Sequence, residues 1–92
     1  MPSTEATFRD RYGLHPRAAN RILTTAREFH ARVTLQRAGG GSPVDAGSLL
    51  GLVSSSIRTG DGVRISAEGD DAEAAIGAVA ALLEAGVCHP ER

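Results

Sequence analysis

Residues 62–86 read GVRISAEGDDAEAAIGAVAALLEAG, and the hydrophobic period changes partway along them. Val63, Ile65 and Ala67 alternate with polar neighbours, the period of two that marks a strand with one buried face. Beyond Asp70 the apolar residues are Ile76, Val79, Ala80 and Leu83, spaced for one side of a helix. Asp70 and Glu73 form a D-x-x-E start resembling a capping box, and Gly86 supplies a stop. A half-buried strand running into an amphipathic helix predicts a sheet whose apolar face is covered by helices.

The same two periods recur outward from this stretch. RVTLQ (32–36) alternates Val33 and Leu35 with polar residues, AGGGSP (38–43) reads as a hairpin loop, and a short strand follows near Val44. In ATFR (6–9), Ala6 and Phe8 share one face, a weaker strand pattern. From Pro16 to about Phe29, Ala18, Ala19, Ile22, Leu23, Ala26 and Phe29 form an apolar stripe opposite Asn20, Arg21, Thr24 and Arg27. SLLGLVSSS (48–56) suits one or two helical turns capped by Ser48, with Leu52 inward. The order is β-α-β-β-α-β-α, and an α+β two-layer sandwich follows. One domain over residues 1–92 is expected, with 86–92 a tail.

Composition narrows the function. The chain has 92 residues, 41% of them hydrophobic, and no apolar run near the ~20 residues that span a bilayer. The opening MPSTEATFRD has no apolar core of a signal peptide. Cys88 is the sole cysteine, so no internal disulfide can form, as suits a reducing cytoplasm. All ten basic residues are arginine, the side chain suited to bidentate contact with phosphate or carboxylate. Residues 1–37 hold seven of them against three acids, whereas the remainder holds three against eight. The N-terminal part is therefore the place to meet an anion.

Within it stands YGLHPRAANRI (12–22), where His15 directly precedes Pro16 and Arg17. Proline suits the first helical position. His15 then occupies the cap, although a histidine does little to satisfy helix N–H groups. Those groups and the positive helix end are left for a phosphate, and Arg17 adds a guanidinium fork. Near pH 7 the imidazole is largely neutral and nucleophilic. It can take a phosphoryl group covalently on Nδ1, the ring nitrogen nearer the helix end.

GLHPRAA, GSLLGLVSSSI and RISAEGDDAEAAIGAVAALL together resemble HPr, the histidine-containing phosphocarrier family of the bacterial sugar phosphotransferase system. The likeness runs from about residue 5 to 85. It implies an open-faced sandwich, a four-stranded antiparallel sheet covered on one face by two long helices and one short helix. It also implies that His15 is the phosphohistidine and that Arg17 and the Ala18 backbone contact the phosphate. Ser48 falls at the family's regulatory serine. Leu49, Leu50 and Val53 become a docking patch, flanked by Asn20, Arg21, Thr24 and Arg27. The implied partners are an enzyme I type donor, an enzyme IIA type acceptor and a serine kinase. The resemblance implies a cytoplasmic monomer needing no cofactor.

Two departures refine this expectation. The common pattern is Gly-Leu/Ile-His-X-Arg-Pro, whereas here proline stands at 16 and alanine at 18. Arg-Ala-Ala resembles the variants of nitrogen-regulatory systems, and Pro16 removes one N–H from the phosphate site. Gly47 replaces the family's usual lysine before the serine, which weakens the case for a kinase.

Other readings have less behind them. A ligand-binding regulatory domain on a similar sandwich would not need His15. A nucleic-acid-binding module using the seven N-terminal arginines would need the aromatic platforms of sheet-type RNA binders, but the aromatics are only Phe8, Tyr12 and Phe29, two of which read as buried, so no nucleic-acid partner is expected. His30, Cys88 and His89 lack metal-ligand spacing, so no metal is expected. Asp70, Asp71 and Glu73 read as helix caps.

Overall fold

The alternating stretch at 62–68 becomes the strand on which the sheet is organised. A computed structural model describes residues 2–9, 16–55 and 57–85. Along the chain lie β1 (Ser3–Thr7), α1 (Pro16–Arg27), β2 (Arg32–Arg37), β3 (Val44–Asp45), α2 (Leu49–Ser54), β4 (Gly62–Glu68) and α3 (Ala72–Ala85). The four strands form one sheet in the order β1-β4-β2-β3. Every pairing is antiparallel, with Ala6 opposite Val63, Leu35 opposite Ile65, and Leu35 opposite Val44.

Register decides the two faces. Ala6, Val33, Leu35, Val63, Ile65 and Ala67 are buried on one side of the sheet. Against them lie Ala18, Ala19, Ile22 and Ala26 of α1 and Ala75, Ile76, Val79 and Leu83 of α3. Each large aliphatic side chain buried here contributes roughly 1.5–3 kcal/mol. The alanines let the helices lie close to the sheet. Glu5, Arg64 and Gln36 stand in one row across the other face, which no helix among the described residues covers. The result is the expected open-faced α+β sandwich.

Three details differ from the sequence reading. The first strand is Ser3–Thr7 rather than 6–9. Its backbone pairs along β4 from Ser3 opposite Ser66 onward, so partner contacts define it more than side-chain alternation. Phe8 lies past its end, yet is completely buried. Helix α1 stops at Arg27, and the chain tightens into i→i+3 bonds from Glu28 to Thr25 and from Phe29 to Ala26. At α3 the cap is Asp71, whose carbonyl accepts the Ala75 N–H at 2.9 Å, rather than Asp70. The expected stop at Gly86 and the tail 86–92 lie outside the described residues.

Candidate functional site

His15, with Tyr12 and Gly13 before it, lies outside the described residues. The helix that follows begins at Pro16, as its sequence predicts. No acidic residue occupies the first turn of α1, so nothing on the helix itself offsets its positive end. Arg17 is exposed there, while Ala18 and Ala19 are buried against the core. The small side chains at 18 and 19 thus seat this turn on the sheet and leave Arg17 outward.

The chain approaching the site is anchored from two directions. Phe8 donates its N–H to the Asp61 carbonyl at 2.9 Å, and the Gly60 N–H returns to the Phe8 carbonyl at 2.7 Å. From the other side, Glu84 accepts the Thr7 N–H at 2.7 Å and the Arg9 Nε at 3.0 Å. The Arg9 N–H also reaches the Leu83 carbonyl at 3.1 Å. The Thr7 N–H foremost, and the Arg9 guanidinium after it, hold the Glu84 carboxyl below its usual value. Sequence reasoning gave Glu84 no role, because its partners are some 75 positions away.

A second surface is built on α2. Ser48 caps it in an extended conformation, its Oγ accepting the Gly51 N–H at 3.1 Å. Leu52 is fully buried, whereas Leu49, Leu50 and Val53 are exposed by 44%, 75% and 36%. One inward leucine fixes the short helix and leaves three apolar side chains facing water. The Arg27 guanidinium donates to the Gly47 carbonyl at 3.0 Å, so the last turn of α1 lies beside the start of α2. Asn20, Arg21 and Thr24 are exposed on α1. Of the expected polar docking set, Arg27 thus has a structural bond of its own.

The acids at the start of α3 divide their work. Asp71 accepts the backbone N–H groups of His30 at 2.9 Å and Ala31 at 2.8 Å, tying the α1–β2 turn to α3. These bonds, that from His30 foremost, lower its carboxyl below the ordinary range despite partial desolvation. Among the described residues no group of three or more His, Cys, Asp or Glu is placed to hold a metal ion. Cys88 and His89 lie outside them. Among the same residues no helix is long and apolar enough to cross a membrane.

Comparison with known proteins agrees with this arrangement. Residues 2–85 match the family model described as the PTS HPr component phosphorylation site. The phosphocarrier protein HPr of Haloferax volcanii is 42% identical over 71 residues, covering 77% of this chain and 80% of that protein. The phosphocarrier protein NPr of Shewanella violacea is 35% identical over 81 residues, covering 88% and 87%. The crystal structure of HPr-C-His from Thermoanaerobacter tengcongensis superposes with a TM-score of 0.83 at 33% identity, covering 92% of this chain and 93% of that one. The chain belongs to the HPr family, the phosphocarriers of the phosphotransferase system. It also spans about a quarter (23%) of the multiphosphoryl transfer protein of Salmonella typhimurium, at 31% identity over 86 residues.

Proposed function

We propose that His15 accepts a phosphoryl group from an enzyme I type donor, itself charged by phosphoenolpyruvate, and passes it to an enzyme IIA type acceptor for sugar uptake. The Nδ1 lone pair attacks phosphorus as the bond to the donor breaks, and the ring proton stays on the other nitrogen. Transfer onward reverses these roles at the acceptor. The observation that carries this reading is the start of α1 directly after His15, with no acid in its first turn and Arg17 exposed beside it. N–H groups at a helix start stabilise phosphate, and the guanidinium adds a charge-assisted contact. Leu49, Leu50 and Val53 serve as the docking patch beside Asn20, Arg21, Thr24 and Arg27. The chain acts as a monomeric single domain in the cytoplasm, and a serine kinase would act at Ser48.

A second destination for the phosphoryl group has its own support. Arg17-Ala18-Ala19 resembles nitrogen-regulatory carriers, and the Shewanella relative carries the name NPr. Presenting the chain to donors and acceptors of both kinds, and comparing transfer rates, separates transport from regulation.

The core reading is tested by His15→Ala, which should abolish incorporation of labelled phosphate while the fold persists. Label appearing at His30 or His89 instead would overturn it. Pro16→Ala restores one helix N–H, a hydrogen bond to a charged group being worth roughly 1.5–3 kcal/mol. It should shift the equilibrium with the donor toward phospho-His15, and Arg17→Ala should shift it the other way.

A further inference from the structure

The open face of the sheet carries a cavity of about 160 Å³, lined by Glu5, Gln36, Arg37, Ala38, Gly40 and Arg64. Its charges do not balance, since two arginines face one carboxylate. Arg64 is paired with Glu5 at 3.2 Å, both side chains remaining more than half exposed. Arg37 also lines the cavity, and its Nε is buried with no hydrogen-bond partner. Buried donors are nearly always satisfied, so an orphan of this kind asks for an acceptor. Two carbonyls of the surrounding loop, those of Arg37 and Gly41, are already taken. Gln36 spends its side-chain amide on the Gly41 carbonyl at 2.9 Å, and the Gly40 N–H turns back to the Arg37 carbonyl at 3.2 Å.

We propose that this cavity binds a small free oxyanion, of phosphate or short-carboxylate size, through Arg37 and Arg64. An oxyanion supplies the missing acceptor and cancels the surplus positive charge, and the guanidinium fork matches its geometry. The volume sets the size class, because pockets for drug-sized ligands run to ~300–1,000 Å³. The glycine loop can adjust around the guest. Gly40 has φ +108° and open space where a side chain would stand. Glu5 limits affinity by competing for Arg64 and repelling the anion. The site is independent of phosphoryl transfer at His15.

Titration with inorganic phosphate, and separately with malonate, followed by NMR at constant ionic strength in chloride, tests this. The Arg37 Nε–H and the Ala38 and Gly40 amides should shift saturably with at least one of the two anions. Arg37→Gln should weaken that binding about tenfold or more, the loss of a hydrogen bond to a charged partner. Glu5→Gln should tighten it several-fold, a gain that misfolding cannot imitate. Shifts that stay linear with both anions, or that are confined to Arg17 and Ala18, would overturn the proposal. So would equal affinity in the native protein and in both variants.

Discussion

The Glu84 carboxylate, in the last turn of α3, accepts the backbone N–H of Thr7 at 2.7 Å and so joins residues 77 positions apart. Asp71 does comparable work at the opposite end of the same helix, where it receives the N–H groups of His30 and Ala31. Helix α3 thus holds two separate turns of chain by its two ends, in addition to covering the sheet.

Acid should loosen both clamps. Each carboxyl ionises more readily in the folded protein, so each adds stability above its unfolded value. That contribution declines as pH falls through the ordinary values, 3.8 for Asp71 and 4.5 for Glu84, and is gone below the lowered folded ones. Urea midpoints measured from pH 6 down to about pH 2 should therefore decline at the acid end. The double variant Asp71→Asn, Glu84→Gln should start lower and fall less. An unchanged slope in that variant would remove these two acids from the account.

Glycine replacements at two sites should act in opposite directions. Gly69 has φ +142°, and a Cβ there would stand 2.7 Å from the Ala31 Cα. Gly69→Ala should cost at least ~1–3 kcal/mol from backbone strain alone. Gly77 lies within α3 with open space around its missing side chain. Gly77→Ala should stabilise by ~1 kcal/mol, since glycine is a poor helix residue. Chemical unfolding of both proteins checks the pair.

On α2, stability and transfer should separate by residue. Leu52→Ala empties a fully buried position and should cost ~2–5 kcal/mol. Leu50 is 75% exposed, so Leu50→Ala should stay within ~0.5 kcal/mol of the native protein. If α2 docks partners, that variant should nonetheless slow phosphoryl transfer. Native transfer rates for Leu50→Ala would move docking elsewhere.

Ser48 permits a finer distinction. Ser48→Ala removes the acceptor for the Gly51 N–H and should lose ~1 kcal/mol. Ser48→Asp keeps an acceptor at the cap, so its melting should stay near native. It also places charge beside Leu49, which should slow transfer between partners. A Ser48→Asp protein that melts normally and transfers at full rate would contradict the docking surface on α2.

Local pattern made much of this readable in the sequence. The alternation at 32–37 and 62–68 defined β2 and β4, and proline at a first helical position marked the start of α1. The cap at Ser48 and the inward Leu52 were also legible, because both depend on neighbours within four positions. What escaped depended on distant partners. Of the residues in β1 only Ala6 is buried, so that edge strand carries little alternation and owes its limits to β4. Asp71 was among the acids read as caps, but the reach of its side chain to positions 30 and 31 was not legible. Glu84 and the Arg27 bond to Gly47 were invisible for the same reason.

The strand order carries a consequence for how the protein is made. Among the described residues β1 pairs with no strand but β4, so it has no partner until residues 62–68 follow. At ~5–20 residues per second of synthesis, that wait lasts on the order of seconds. Pairing across such sequence separation also closes slowly, after the local contacts. We therefore expect α1 and the β2–β3 pair to precede β1, whose capture completes the sheet. In pulsed hydrogen exchange during refolding, the Phe8 amide, which donates to the Asp61 carbonyl, and the Ala67 amide, which donates to the Pro2 carbonyl, should gain protection together and after the amides of α1; earlier protection of either would reverse this order. Residues 7–9 are thereby held in place last, and a chain cut short before β4 would present the proposed phosphorylation site at His15 without the sheet and helix that anchor Thr7, Phe8 and Arg9.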